Sequence, residues 1–471
     1  MLIFVAYFSP ELFLFFSSKR REICHVTHQN RWNLARRLLS DKCAKVIVNI
    51  KKFLHSPSFI ARHRRSEKDF TRQRKLPFHL LVCFLADFVK GAYQSELDKF
   101  FQALHGDVVP QRRVSKAALT KARSKLNFEA FVELNQKLIT IFHTVFSPRK
   151  WHGFRLLAVD STTIRLPRLR AIASHFGAWK PRQGRHCPMA RASLLFDSLN
   201  RITIGAVIDP KAVNERHQAK QLLAYLQPKD LLLLDRGYPA FWLFKLISQK
   251  HAHYCARMPI NLLPIKKLVS SGQKEKIIHW HIPVTSEKEC SQVGVDTQPL
   301  TLRLIRVDRD NNPSVFLATS LTDCQQYPYE LFVDLYQHRW PVEEDYKTIK
   351  CRLEIENFTG KTVLSIYQDF YAKVFFKNLT AVLSFPIQQK LELNGTKQKY
   401  VHQVNFAHAL AVSKRITMLL LQKPLQHITH VIQMLHHIFA KTSEPVRPGR
   451  LYPRFTKSQE RRFFPAYKPI C

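Results

Sequence analysis

The stretch FRLLAVDSTTIRL (residues 154–166) reads as a β-strand with one carboxylate, Asp160, set into it. Leu156, Leu157 and Val159 precede that carboxylate, so it enters an apolar layer where a bare charge is costly unless something compensates it. A metal ion would do so, and so would a hydrogen bond from Ser161 or Thr162. Working outward, ARASLLFDSLN (190–200) and RITIGAVIDP (201–210) read as two more strands joined by a tight turn near Asn200. A helix (NERHQAKQLLAYL, 214–226), a strand (DLLLLD, 230–235), a helix (PAFWLFKLISQ, 239–249) and a strand (AHYCARM, 252–258) follow. Three strands and then alternating helix and strand predict an α/β fold, a mixed sheet with flanking helices. DLLLLD repeats the first feature, with Asp235 closing a run of four leucines.

Residues 258–321 interrupt the alternation. KIIHWHIPV (276–284), LTLRLIRVDRD (300–310) and PSVFLATSL (313–321) read as strands and suggest a β-rich insertion. Trp280 is its one tryptophan and has two readings, a ring on which an extruded base could stack or a packed residue of a small core. Helical patterning resumes at PYELFVDLYQHR (328–339) and continues through YQHRWPVEEDYKTIK (336–350). At about 100° per residue, Glu343, Lys347 and Lys350 share one stripe, while Glu344 and Asp345 turn away toward solvent. Tyr336 and Arg339 join that stripe if the helix is continuous, and Pro341 is the residue able to break it.

Lys and Arg number 74 against 35 Asp and Glu, a net charge of +39 on 471 residues. That imbalance is the electrostatic footprint of a polyphosphate binder. Three converging carboxylates on such a chain point to a divalent metal site acting on nucleic acid. Two ions about 4 Å apart, held by carboxylates, are a common arrangement for in-line displacement at phosphorus. With 12 glycines and no Gly-rich phosphate loop, a P-loop enzyme is disfavoured. The nine cysteines are scattered, odd in number and free of C-x-x-C, which suggests reduced thiols in a cytoplasmic, nucleoid-associated protein. Cys24, His28, Cys43 and His55 match no standard zinc spacing. The opening MLIFVAYFSPELFLFF (1–16) is broken by Pro10 and Glu11, so no membrane span is expected.

Between 76 and 147 the pattern is helical. Ser95 with Asp98 resembles a capping box before LDKFFQALHG, which Gly106 would end. In RRVSKAALTKARSKL (112–126), Ser115 is a candidate N-cap and Leu119, Ala122 and Leu126 form one face. Lys121, Arg123 and Lys125 are the candidate DNA contacts, against the alternative of a charged outer face.

These motifs together resemble the DDE transposases of bacterial insertion sequences, in particular the class carrying a Y-(2)-R-(3)-E-(6)-K signature. Tyr336, Arg339, Glu343 and Lys350 match its spacings, and Asp160 in VDSTTIRLP and Asp235 in LLDRGY match the two aspartate motifs. VSKAALTKARSKLN (114–127) and NERHQAKQLL (214–223) also look like family segments. The resemblance implies a ribonuclease H-like catalytic core with a β-strand insertion before the Glu-bearing helix. It implies Asp160, Asp235 and Glu343 as catalytic metal ligands for Mg²⁺ or Mn²⁺, as two ions. It gives Tyr336, Arg339 and Lys350, with Lys347 beside them, the task of gripping DNA phosphates. The reaction implied is cut-and-paste transposition at terminal inverted repeats, through a hairpin and into target DNA, by a homodimer on paired ends. The expected organisation is a basic and apolar extension (1–75), an α-helical DNA-binding domain (76–147), a catalytic core in two parts (154–257 and 322–400) around the insertion (258–321), C-terminal helices (401–440) and a poorly ordered basic tail (441–471). A hydrolytic nuclease of the same fold and a silent transposase-derived DNA-binding protein are the alternatives.

Overall fold

A computed structural model describes residues 28–87, 89–179, 186–309, 312–394, 399–414, 416–422 and 428–447. The apolar opening, Cys24 and the basic tail beyond residue 447 lie outside the described residues.

The strands of the main sheet are β1 (Arg155–Arg165), β2 (Ala178–Trp179), β3 (Cys187–Asp197), β4 (Ile202–Pro210), β5 (Asp230–Leu234), β6 (His253–Arg257), β7 (Glu275–Trp280), β8 (Leu300–Arg309) and β9 (Asn312–Thr319). They form one sheet in the order β4-β3-β1-β5-β6-β9-β8-β7, with the two-residue β2 also on β3. β4, β3 and β1 pair antiparallel, whereas β1, β5 and β6 are parallel neighbours. The parallel strands are joined through the helices Glu215–Leu222 and Phe241–Gln249, as parallel pairing requires. Leu231, Leu232, Leu233 and Leu234 are fully buried, which is why β5 carries no polar alternation.

The three strands expected within residues 258–321 are present as β7, β8 and β9. β9 pairs antiparallel with β6, then β8 with β9 and β7 with β8, so these strands extend the main sheet. Alternating apolar runs announce strands, but which edge they join depends on backbone partners distant in sequence.

Residues 28–54, expected within a basic extension, form a 27-residue helix. Its residues Cys43, Val46, Ile47 and Ile50 are fully buried. It packs against the helices Glu129–Val145 and Ile428–Lys441, and the helix Val363–Asn394 joins the same bundle. One contiguous buried cluster runs from Cys43 to Ile432, so the N-terminal helices share a core with the sheet. Locally, Gly106 ends the helix Tyr93–His105 in the left-handed region at φ +77°, as its position suggested. That helix begins before Ser95, with Ala92 at its cap. Ser115 caps Lys116–Arg123 by accepting from the Ala118 N–H at 3.2 Å. Among the described residues, no helix is long and apolar enough to cross a membrane.

Candidate active site

The two aspartates meet through strand register. β1 and β5 are parallel, with Arg155 opposite Asp230 and Val159 opposite Leu234. One residue beyond that register, Asp160, midway along β1, comes level with Asp235, the residue that follows β5; at the usual spacing of paired strands their backbones lie about 4.8 Å apart. Register is pinned at the other end by a buried bidentate pair. Arg155 Nε and Nη2 donate to Asp230 Oδ1 and Oδ2 at 2.8 and 2.6 Å. A one-residue slip would break that fork and turn one aspartate to the opposite face.

Glu343 lies on a helical run that changes pitch three times. Glu330–Leu335 is α-helical, Tyr336–Arg339 is a 3₁₀ turn, Pro341–Lys347 is α-helical and Thr348–Arg352 is a π turn. Pro341 sits at a first helical position, where its missing N–H costs nothing, so the run continues past it. The 3₁₀ turn packs against β1 and β5, and Pro341–Lys347 against β1. Tyr346 anchors the contact, its hydroxyl donating to the Asp160 carbonyl at 2.7 Å. Behind it, Lys377 Nζ donates to Asp345 Oδ2 and to Thr203 Oγ1, both at 2.6 Å, and both charged side chains are buried. Asp345 was expected in solvent. It faces inward because the helix is clamped between the sheet and Val363–Asn394, whereas Glu344 is exposed as expected.

The charges in the site oppose one another. Burial pushes the Asp160 carboxyl up to about 6; the Ser161 N–H and Arg339 oppose this, while Glu343 and Asp235 add to it. Ser161 N donates to Asp160 Oδ1 at 2.8 Å. Tyr336 points its hydroxyl at Asp235 Oδ1, 3.5 Å away. Arg339 is 4% exposed and donates from Nη2 to Glu343 Oε1 at 2.5 Å. Lys350 is held below the usual lysine range by burial, against the pull of Glu356 and, more weakly, of Asp160. Among the described residues, no three His, Cys, Asp or Glu side chains stand in ready-made ligand positions. Glu343 is turned to Arg339 instead. The donor set still fits a hard divalent cation, because all three groups are carboxylates and Asp160 feels the other two.

The remaining sequence candidates separate. Lys347 is 69% exposed and pairs with Glu344 rather than Glu343. Lys121 is exposed. Lys125 is half-buried and pairs with Asp69 at 2.7 Å. Arg123, placed among the DNA contacts by its helix position, is buried. Its guanidinium bonds Gln368, Tyr93, Thr359, the Ser365 carbonyl and Asp369 at 2.6–2.8 Å. The long helix covers that face of Lys116–Arg123, a fact no local pattern carries. Trp280 is half-buried, its ring 5.6 Å from Phe241 and 5.8 Å from Phe244, which is the packed alternative.

Sequence reasoning passed over Glu215, Tyr238 and Tyr346. Glu215 Oε2 accepts from the Ser161 hydroxyl at 2.9 Å. Tyr238 is 2% exposed, and burial followed by the nearby Asp160 and Glu215 carboxylates holds its hydroxyl well above the usual phenol range. The available signals were the NERH start of a helix and a tyrosine three residues after Asp235.

Known proteins resemble this chain in sequence and in structure. The transposase DDE domain family matches residues 151–379. The transposase InsG for insertion sequence element IS4 of Escherichia coli (strain K12) is 23% identical over 404 residues, covering 82% of this chain and 87% of that protein. The structure of a piggyBac transposase synaptic complex with hairpin DNA aligns over 88% of this chain and 86% of its own, at 11% identity and a TM-score of 0.38. The matched domain contains all three carboxylates and the Tyr336–Lys350 run, and the chain belongs to the insertion-sequence DDE transposases.

Proposed function

We propose that this transposase performs cut-and-paste transposition of an insertion sequence, with Asp160, Asp235 and Glu343 holding two Mg²⁺ or Mn²⁺ ions. The observation that carries the reading is the parallel register that sets Asp160 beside Asp235, with the Glu343 helix packed across the same strand. The order β4-β3-β1-β5-β6, three antiparallel strands followed by parallel ones, supports a ribonuclease H-like core with β7–β9 as its insertion.

When bound, divalent ions supply charge neutralisation and an acidified water at the scissile phosphate. The chain's own residues do the rest. Asp160 and Asp235 would present oxygens from β1 and the end of β5, which lie inside the sheet. Glu343, now paired with Arg339, would supply a third carboxylate to the ions. Arg339 would then offer a planar fork of donors to a phosphate. Tyr336, about one turn before Arg339, and Lys350, about three turns after it, are donors too, and none of the three is a good ligand for a hard cation. DNA passes through four in-line displacements at this site. Water cuts one strand at the element end, and the freed 3′-OH attacks the opposite strand to give a hairpin. Water reopens the hairpin, and the 3′-OH attacks target DNA. Lys121 and other exposed cations supply phosphate affinity, and two copies pair the two ends.

The test uses the DNA flanking the coding sequence as end substrate, with purified full-length protein and Mg²⁺. Nicked, hairpin and strand-transfer products are expected in that order. Nicking without hairpin or transfer would replace this reading with a simple nuclease. Binding without any cleavage would replace it with a silent derivative.

A further inference from the structure

The helix Glu215–Leu222 brings a fourth carboxylate to the edge of the site. Asn214 caps it, accepting from the Arg216 N–H at 3.0 Å. Glu215, its first residue, faces β1 and the turn after β5 at once. Its Oε2 accepts the Ser161 hydroxyl at 2.9 Å, while the Ser161 N–H donates to Asp160 Oδ1 at 2.8 Å. Its Oε1 lies so close to Gly237 that a Cβ there would come within 2.5 Å. Arg216 Nε donates to the Gly237 carbonyl at 2.9 Å. One helix end therefore holds the residue after Asp160 and the turn two residues after Asp235. Arg191 Nη1, reaching over from β3, lies 3.6 Å from Glu215 Oε2 and supplies its counter-charge. Glu215 thus has its partners without a metal ion.

We propose that Glu215 is a positioning residue for the transposase reaction, holding the Ser161 hydroxyl while its carboxylate packs against Gly237, whose carbonyl Arg216 holds, so that the Asp160 and Asp235 carboxylates are kept at one spacing and orientation. The inference rests on the reading of Asp160 and Asp235 as metal ligands. Ser161 is the link, because its backbone fixes one Asp160 oxygen while its hydroxyl is held by Glu215. Partners that orient metal-binding carboxylates without touching the ion affect metal affinity in this way. Gly237 is required by close approach, and a methyl group there would push the Glu215 carboxylate off Ser161.

The experiment measures Mn²⁺ binding to the full-length protein by electron paramagnetic resonance, with the urea midpoint measured alongside. Glu215→Ala should weaken Mn²⁺ binding by about 10-fold with little change in midpoint. Glu215→Gln, which keeps an oxygen acceptor for Ser161, should lose less. Gly237→Ala should weaken binding in the native background and add nothing in the Glu215→Ala background. Native Mn²⁺ affinity in Glu215→Ala, while Asp160→Asn abolishes binding, would overturn this inference alone. A Gln variant as weak as the Ala variant would also overturn it, since Glu215 would then be a ligand. Mn²⁺ binding that survives both Asp160→Asn and Asp235→Asn would overturn the metal reading itself and this inference with it.

Discussion

Arg123 offers the sharpest test of the structure, because its place on a basic helix and its place in the fold predict opposite phenotypes. Truncation to alanine removes bonds to Gln368, Tyr93, Thr359, the Ser365 carbonyl and Asp369. It also leaves the Asp369 carboxylate, 4% exposed, without its cation. Breaking a buried ion pair from one side costs about 3–5 kcal/mol. Asp369 keeps the Thr359 N–H and hydroxyl at 2.7–2.9 Å, so the lower end applies. A loss of about 3 kcal/mol, roughly 150-fold in the unfolding equilibrium, is therefore expected for Arg123→Ala. The assay is urea unfolding of the full-length protein, paired with DNA affinity measured across a salt series. Arg123→Ala should shift the unfolding curve and leave the salt slope of the remaining folded protein unchanged. Lys121→Ala should do the reverse, lowering the slope by about 0.9 if its ammonium meets a phosphate. An Arg123→Ala protein with native unfolding and a reduced salt slope would refute the buried placement.

Asp160→Asn, Asp235→Asn and Glu343→Gln should each abolish cleavage of end DNA while retaining end binding; a native cleavage rate in Asp235→Asn would remove it from the ligand set. Arg339→Lys should slow hairpin formation on the order of 10²-fold, and the first nick less, because the planar fork is lost; equal slowing of both steps would count against a phosphate role. Lys377→Met should destabilise by about 3–5 kcal/mol by leaving Asp345 buried and unpaired, and adding Asp345→Leu should recover most of that; no recovery in urea unfolding would mean the pair is not the cause. Burial lowers His436 from 6.5 to about 4, so the unfolded chain takes up this proton first. Its stability contribution is complete above about pH 6.5 and is lost as pH falls toward about 4, so His436→Gln should show a smaller drop in urea midpoint between pH 7 and pH 5; parallel drops would refute the assignment.

The sequence by itself determined the local facts. Apolar runs ending in Asp160 and Asp235 announced strands that carry carboxylates, because strand periodicity and charge burial are properties of neighbours in the chain. Ser115 and Gly106 announced helix ends for the same reason, and the Tyr336-Arg339-Glu343-Lys350 spacing drew those residues onto one run of helix. Tertiary structure decided what depends on remote partners. It extended the sheet with β7–β9, turned Arg123 and Asp345 inward under the helix Val363–Asn394, and packed residues 28–54 into the core. A helical face is basic or polar in sequence whether it meets solvent or a buried counter-ion, so only the arrival of Asp369 and Lys377 distinguishes the two. Glu215 is the same case in the site. The NERH start marks only a helix end, and Glu215 acquires meaning when β1 and β5 pair in parallel and set Ser161 and Gly237 on either side of its carboxylate.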